Sequence, residues 1–286
     1  MWKILALLYM LVSGYGFAMA ATTVFYPREV IPNDPHWEYP LRLLDLGLKK
    51  SGGHYVLRPS VQGGMLQGRA ILALERGDPG ITLLWTMTDK EREAKLLPIR
   101  IPIYKGLIGW RIPLVRAANR DLLKQVKTKS DLVQFTAGQG HDWPDTAILQ
   151  ANGLTVMTSS HYAGLFGMLG LGRFDYFPRS VAEIWDEIAT TNTPGIVVDS
   201  HIVLHYPAAF YYFVSKKNPQ LAKDLDRGLN LAIADGSFDA LFNEYHGDII
   251  ARANIKGRTI IRMSNPNLPP ETPLHRKELW LNPEKS

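Results

Sequence analysis

The chain has 286 residues, 46% of them hydrophobic and 21% charged, with 32 Lys and Arg against 27 Asp and Glu and a formal net charge of +5. This basic excess is mild and its residues are scattered along the sequence, which argues against nucleic acid as a partner. Cysteine is absent, which excludes disulfides, thiol nucleophiles, a lipobox and Cys-ligated zinc. The fold must therefore depend on an ordinary hydrophobic core.

The first 20 residues have the pattern of a secretory signal peptide. Lys3 precedes an apolar stretch, and Ala18 and Ala20 flank Met19 in an A-x-A cleavage site. The apolar stretch is shorter than the ~20 residues that a membrane-spanning helix needs, although an uncleaved anchor is the alternative. We expect residues 1–20 to be removed and the mature chain to be soluble in the periplasm. Its length predicts two lobes, with a single large domain as the alternative.

The segment after the signal alternates between strand and helix patterns. In chain order it reads "TTVFYP" (strand), "HWEYPLRLLDLGLKKSGG" (helix), "YVLRPSV" (strand), "GMLQGRAILALERGD" (helix ending at Gly77) and "GITLLW" (strand). This order predicts a parallel sheet with helices on its faces. The extended apolar passage "IPIYKGLIGWRIPLVR" then predicts a crossing into a second lobe.

The second lobe repeats the alternation. Its predicted elements are "RDLLKQVKTKSDLV" (helix), "VQFTAG" (strand), "WPDTAILQANG" (helix), "HYAGLFGMLGLG" (helix), "RFDYFP" (strand), "SVAEIWDEIA" (helix opened by a Ser180-x-x-Glu183 capping box) and "GIVVD" (strand). The strand "AAFYYFVS" returns the chain to the first lobe, where two helices broken near Gly236 and a Pro-rich tail complete it. We expect a two-lobed α/β fold with two extended hinge crossings, in which residues 21–108 and 211–286 form lobe 1 and residues 109–210 form lobe 2.

Polar side chains follow the strand "GITLLW" in the stretch "TMTDKERE". In open α/β sheets ligands lie beyond the carboxyl ends of the strands, where this stretch is expected. Thr86 and Thr88 can offer hydroxyl groups, and Arg92 can bind a carboxylate through two parallel hydrogen bonds. The alternative is a solvated helix start with no ligand.

Aromatic residues also lie at or near the strand ends. Tyr26, Trp37, Tyr39, Trp85 and Trp143 could form the apolar wall of a ligand site. Each of them could equally be part of the core. We expect Tyr26, Trp37, Trp85 and Trp143 to contact a ligand.

Several motifs in a fixed order resemble the type 2 periplasmic solute-binding proteins, particularly the family-3 group that binds polar amino acids. They are "G-D-x-x-I-T-x-x-x-T-x-T" followed by Arg92, the strand "GRFDYF", and the closing segment "YYFVSKKNPQLAKDLDRGLNLAIADGSFDALFNEYHG". The resemblance covers the whole mature chain. It implies that the T-x-T loop, with Thr86 and Thr88, and Arg92 hold the α-carboxylate of a ligand.

Two departures from the family pattern concern lobe 2. The family opens a helix there with Gly-Thr or Gly-Ser, whereas this chain has "GQGHDWPD". Free helix N–H groups would meet an anion at this point, so we expect a ligand contact from this segment, whose candidates are Gln139, Gly140, His141, Trp143 and Asp145.

The second departure reverses a charge. Arg179 or Ser180 occupies the neighbourhood where the family places an Asp that binds the ligand's amine. An ammonium group without a partner is costly beside an Arg in a closed cleft, which argues against a standard α-amino acid. The alternative role of Arg179 is a salt bridge to Glu183 four residues later.

These patterns predict a non-enzymatic periplasmic protein that closes two lobes over a small polar solute bearing a carboxylate or other anionic group. ABC-type uptake through a permease is the first expectation, and ligand sensing for a membrane kinase or cyclase is the alternative. A secreted enzyme on the same fold is the second alternative. His201 and His205 are four apart in an extended segment that lacks the Glu of H-E-x-x-H, so we expect no metal. We also expect no cofactor and a monomer.

Overall fold

The computed structural model describes residues 21–28, 35–191 and 193–283. The expected signal peptide lies outside these residues and stays a prediction. Within the described ranges, no helix is both long enough and apolar enough to cross a membrane.

The described residues form a mixed α/β structure. Its strands are β1 (Thr22–Tyr26), β2 (Tyr55–Pro59), β3 (Leu83–Met87), β4 (Leu97–Ile99), β5 (Trp110–Arg116), β6 (Thr136–Gly140), β7 (Thr155–Ser159), β8 (Phe177–Ser180), β9 (Ile196–Val198), β10 (Ile202–His205), β11 (Phe210–Val214) and β12 (Thr259–Arg262). Its α-helices are α1 (Glu38–Lys50), α2 (Gln67–Arg76), α3 (Lys90–Lys95), α4 (Lys129–Leu132), α5 (Pro144–Ala151), α6 (Tyr162–Gly170), α7 (Ile184–Thr191), α8 (Pro219–Ala234) and α9 (Ser237–Ala253).

The first lobe is built around β1, β2, β3, β4 and β11. Strands β1 and β2 are parallel, as the strand–helix–strand order predicts, and β11 lies antiparallel between β3 and β4. The amide of Thr82 donates to the carbonyl of Phe25 at 2.9 Å, which joins β1 to the start of β3. Helix α2 ends at Gly77 with φ of +75°, a left-handed conformation that favours glycine.

The second lobe contains a mixed sheet in the order β12–β10–β5–β8, with β9 also paired to β5. Strands β6 and β7 are parallel, and a bridge between Ala137 and Tyr176 connects β6 to the start of β8. Strand β12 pairs in parallel with β10, although the sequence-based division assigned its residues to lobe 1. The other lobe boundaries stay a prediction.

Among the described residues, two extended segments connect the lobes, one between β4 and β5 and one between β10 and β11, and the chain passes between the lobes again on either side of β12. The two crossings lie side by side, because the amide of Tyr206 donates to the carbonyl of Gly109 at 3.2 Å and the amide of Ile103 donates to the carbonyl of Phe210 at 2.9 Å. A Cβ on Gly109 would lie 2.2 Å from the carbonyl oxygen of Tyr206. Only glycine therefore allows this approach of the two backbones.

Two predicted helix starts in lobe 2 were wrong. Ser180 is the last residue of β8, its hydroxyl accepts from the amide of Ala182 at 3.0 Å, and α7 begins only at Ile184. Glu183 does not complete a capping box because its carboxylate faces Arg179 and Arg111.

The predicted helix "RDLLKQVKTKSDLV" forms only at its end. Thr128 and Asp131 form a capping box there. This cap begins α4 as a separate helix and interrupts the predicted longer one. The residues before it form turns that bury Leu123 and Val126.

Helices α1 and α8 approach each other closely at two glycines. A Cβ on Gly228 would lie 1.7 Å from the carbonyl oxygen of Gly47. We expect Gly228→Ala to lower the free energy of unfolding by about 1–3 kcal/mol, because the backbones would have to separate. Urea denaturation measures this change.

Gly247→Ala in α9 is the matched control, since a Cβ there meets no atom within 4 Å. This control should raise the free energy of unfolding by about 0.4–1 kcal/mol. Equal stability of the two variants would contradict the close packing of α1 and α8.

Candidate functional site

A cavity of about 320 Å³ lies between the two lobes and is lined from both. Trp37, just before α1, and Trp85 on β3 contribute from lobe 1, while Trp143, just before α5, and Arg179 on β8 contribute from lobe 2. Aromatic walls with a few polar groups are typical of ligand sites. The remaining lining residues are Pro27, His36, Met65, Leu66, Gln67, Ala70, Leu84, Tyr104, Tyr162, Glu183, Glu187 and Phe210. We call this cavity the aromatic cleft.

The lobe 1 wall of the aromatic cleft is held by ring-to-ring packing. The rings of Trp37 and Trp85 meet edge to face with centroids 4.8 Å apart. Tyr26 is 6.4 Å from Trp85 and supports it, but Tyr26 is not among the lining residues. Edge-to-face pairs stabilise beyond their buried area, so this wall is preformed.

The lobe 2 floor of the cleft is a buried ion-pair network around Arg179. Its Nε donates to Oε2 of Glu187 at 2.6 Å. Its Nη2 donates to Glu187 as well and to Oε2 of Glu183 at 3.1 Å. The guanidinium lies 4.6 Å from the ring centre of Trp143. The expected pair with Glu183 is therefore present, although Glu187 is the closer partner. Tyr162 donates to Glu187 at 2.8 Å and completes the network.

A second buried arginine extends the network inward. Arg111 on β5 bonds Asp145 at 2.7 Å and lies 3.4 Å from Oε2 of Glu183, and Tyr206 donates to Asp145. Asp145 is thus bound inside the protein. A smaller cavity of about 130 Å³ lies here and shares Arg179 and Glu183 with the aromatic cleft.

Burial and pairing together fix the charges in this network. Burial alone would raise the pKa of Glu187, but the attraction and hydrogen bonding of Arg179, together with His36 and Tyr162, lower the pKa overall. Burial opposes the charge of Arg179, yet Glu187 and Glu183 raise the pKa of the guanidinium overall. Burial raises the pKa of Tyr162, so its hydroxyl stays a neutral donor. Both ions of the central pair are therefore charged at neutral pH.

Arg92 lies at the seam between the lobes, where both terminal nitrogens of its guanidinium donate to the protein. Nη1 donates to the Thr86 hydroxyl at 2.8 Å and the Met87 carbonyl at 2.7 Å, and Nε lies 3.3 Å from Asp89. Its Nη2 bonds two further acceptors, Oε1 of Gln67 at 2.8 Å and the carbonyl of Asp142 at 3.1 Å. Burial lowers the pKa of Arg92, and nearby carboxylates oppose that shift.

Several contacts join the lobes across the seam. Besides the bond from Arg92, the amide of Gly68 donates to the Asp142 carboxylate at 3.3 Å, and Nε2 of His36 lies 3.2 Å from the carbonyl of Glu183. A third cavity, of about 790 Å³, opens beside the seam and is lined by Arg92 and His141 among other polar residues.

The remaining expected site residues take different positions. Thr86 lines the smaller inner cavity. Thr88 is turned to the protein, since its hydroxyl donates to Glu93 at 2.7 Å. Gln139 is fully buried, and no described residue hydrogen-bonds its side-chain amide. Gly140 lies under Trp143, where a Cβ would come within 2.3 Å of the ring. For these residues, as for the others, contact with a ligand stays a prediction.

Sequence reasoning missed several residues of the aromatic cleft. Gln67, Tyr104, Tyr162 and Phe210 come from segments without a motif. Glu187 could have been predicted from the sequence, because Glu183 and Glu187 are four residues apart and both follow Arg179 on one face of the chain.

No family model matches the sequence, and no curated protein sequence matches it. Solved structures do match. An ancestral arginine-binding protein bound to arginine is similar over 78% of this chain and 98% of its own, with 17% identity and a TM-score of 0.58. The chain has the two-lobed periplasmic binding protein fold. This is the fold that the sequence motifs predict.

Two further matches show the range of proteins with this fold. A histidine kinase sensor domain with similarity to periplasmic binding proteins covers 80% of this chain and 96% of its own, with 15% identity and a TM-score of 0.58. The ancestral amino acid-binding protein AncCDT-1, a precursor of cyclohexadienyl dehydratase, covers 78% and 95%, with 15% identity and a TM-score of 0.55. At 15–17% identity, these three similarities establish the fold alone.

The Arg179–Glu187 pair generates a stability prediction. Glu187→Ala leaves a buried guanidinium without its main partner, so we expect a loss of about 3–5 kcal/mol in the free energy of unfolding, measured by denaturant titration. Because the folded-state pKa of Glu187 is lowered, its contribution is present above the ordinary carboxyl pKa and is lost as the pH falls through the lowered value.

Glu91→Ala is the control for this prediction. It removes an exposed partner of Lys95 on α3 and should change the free energy of unfolding by less than about 1 kcal/mol. A loss at Glu187 no larger than the loss at Glu91 would contradict the role given to the buried pair.

Proposed function

We propose that the protein is a periplasmic solute-binding protein that captures a small organic solute in the aromatic cleft. The observation that carries this proposal is the cleft itself. It has the size of a small-ligand site, tryptophan side chains on both of its sides, and a fixed ion-pair network as its floor. The fold supports the proposal, because its structural neighbours include proteins described as binding small molecules.

We propose that capture excludes water by bringing the lobes together. In this structure Arg92 and His36 already join the lobes across the seam. Arg92 then has a role as a clasp between lobes, besides the carboxylate contact that the sequence resemblance implies. Displacing Gln67 or Asp142 from Nη2 would open one donor to a ligand oxygen, and displacing both would open two.

We propose ABC-type uptake as the process served, with a membrane permease as partner and a monomer as the binding unit. Sensing for a membrane kinase is the second candidate, and the similarity to a histidine kinase sensor domain supports it. Neighbouring reading frames discriminate the two, because uptake requires a permease and an ATPase and sensing requires a signalling protein. A substrate-turnover screen tests the enzyme alternative.

The aromatic cleft is tested by identifying what binds there. Small molecules that co-purify with the exported protein are identified by mass spectrometry, and their binding is measured by calorimetry. Trp37→Ala should weaken binding by roughly tenfold or more, because truncating a central aromatic contact costs on the order of 2 kcal/mol.

The matched control is Trp185→Ala. Trp185 stacks under Arg252 at 4.0 Å and is not among the residues that line the aromatic cleft. Its removal should leave the affinity unchanged. Equal affinity of the Trp37 variant and the unaltered protein would show that the ligand binds elsewhere.

Arg92 is tested separately. We expect Arg92→Ala to abolish the ligand-induced rise in melting temperature, because the clasp to Asp142 and any carboxylate contact are lost together. Arg100→Ala, which removes a half-exposed partner of Glu93, is the control and should keep the rise. An unchanged affinity in the Arg92 variant would remove this residue from the site.

A further inference from the structure

We infer that the aromatic cleft selects an organic cation: a flat apolar body that carries an ammonium or similar positive group. This inference rests on the proposed function, since it concerns the same cleft. It differs from the anionic solute that the sequence predicts, because the structure shows how each charged group on the cleft floor is paired.

The floor network has one more carboxylate than it has cations. Glu187 balances Arg179, and Asp145 balances Arg111 at 2.7 Å. Glu183 is the third carboxylate and has no cation of its own, since its Oε2 only shares the two arginines at 3.1 and 3.4 Å. One negative charge is therefore left over on the lobe 2 side of the cleft.

Glu183 is also the member of the network that a ligand can reach. Its side chain is 23% exposed, whereas those of Glu187 and Asp145 are 2% and 5% exposed. Among the described residues, none hydrogen-bonds the other oxygen, Oε1 of Glu183, and Glu183 lines both the cleft and the inner cavity. A ligand N–H group at Oε1 would supply the missing positive charge through a charge-assisted hydrogen bond.

The opposite wall favours the same kind of ligand. No Arg or Lys of the described residues stacks on the rings of Trp37 or Trp85, whereas Arg179 already lies over Trp143. The indole face attracts cations, and the attraction grows when the site is shielded from water. An apolar body on Trp37 and Trp85 would thus place a positive group between an aromatic face and a carboxylate.

The cleft offers few available N–H donors to a ligand whose only charge is a carboxylate. All four N–H groups on Nη1 and Nη2 of Arg92 donate to the protein, and its Nε lies 3.3 Å from the Asp89 carboxylate. Arg179 keeps one nitrogen, Nη1, for which no described residue is an acceptor, but Glu187 already balances its charge. A neutral oxygen on the cation could accept from Nη1 without adding a negative charge next to Glu183.

The test compares three solutes with one apolar body and different charges. Tryptamine is a cation, tryptophan is a zwitterion, and indole-3-acetate is an anion. Calorimetry on the full-length mature protein should show tryptamine binding at least roughly tenfold more tightly than either of the others, the difference that one charge-assisted hydrogen bond makes.

Glu183→Gln then tests the residue. It keeps the shape and an acceptor oxygen but removes the charge, so tryptamine should lose roughly 10- to 100-fold in affinity, the range of a hydrogen bond to a charged group. Glu244→Gln is the matched control, because Glu244 pairs with Arg42 on the surface of lobe 1. It should leave tryptamine binding unchanged, and melting curves confirm that both variants are folded.

The proposal is overturned if tryptophan or indole-3-acetate binds as tightly as tryptamine, if none of the three binds, or if Glu183→Gln and Glu244→Gln behave alike. Failure of this charge assignment is distinguishable from failure of the proposed function. In the first case an anionic or zwitterionic solute binds and Trp37→Ala weakens it. In the second case Trp37→Ala leaves the binding of every solute unchanged.

Discussion

The cleft depends on one buried contact, the ion pair between Arg179 and Glu187. A lone guanidinium or carboxylate at this depth would be strongly unfavourable, so each ion can be buried only because the other is present. The pair fixes α7 against β8, and the guanidinium supports the ring of Trp143 from one side. The position of the lobe 2 wall therefore follows from an electrostatic requirement in the floor beneath it.

This pair also changes how the local charge is understood. The sequence shows Arg179 where the resembled family has an Asp, and on that basis a positive site is expected. The structure brings Glu187, eight residues further along the chain, into direct contact with Arg179. The net charge of a folded site depends on the whole cluster and not on one aligned residue. The sequence alone therefore predicts an anionic solute, whereas the complete network favours a cationic one.

Most of the fold could be predicted from the sequence, because it is encoded locally. Apolar spacing places α1 and α8, and Gly77 and Gly236 end or separate helices by adopting positive φ. The failures came from competition between local signals. The sequence predicts a helix cap at Ser180, but strand pairing holds this residue in β8. The cap at Thr128 divides the segment that the sequence predicts to be one helix.

The candidate site could be predicted only in part, because its contacts are between distant segments. Trp37, Trp85, Trp143 and Arg179 line one cleft, and the three tryptophans are among the aromatic residues that the sequence places at or near strand ends. Nothing in the sequence shows that Gln67 and the Asp142 carbonyl occupy the donors of Arg92. Hydrogen bonds between residues so far apart in sequence are visible only once the chain is folded.

The paired crossings at Gly109 limit the motions available to the molecule. Two backbones tied by hydrogen bonds bend as one ribbon and resist sliding past each other. Relative movement of the two halves should therefore bend these two crossings together. Such bending would widen the cleft most on the side away from the paired crossings, which is where a solute is expected to enter and leave.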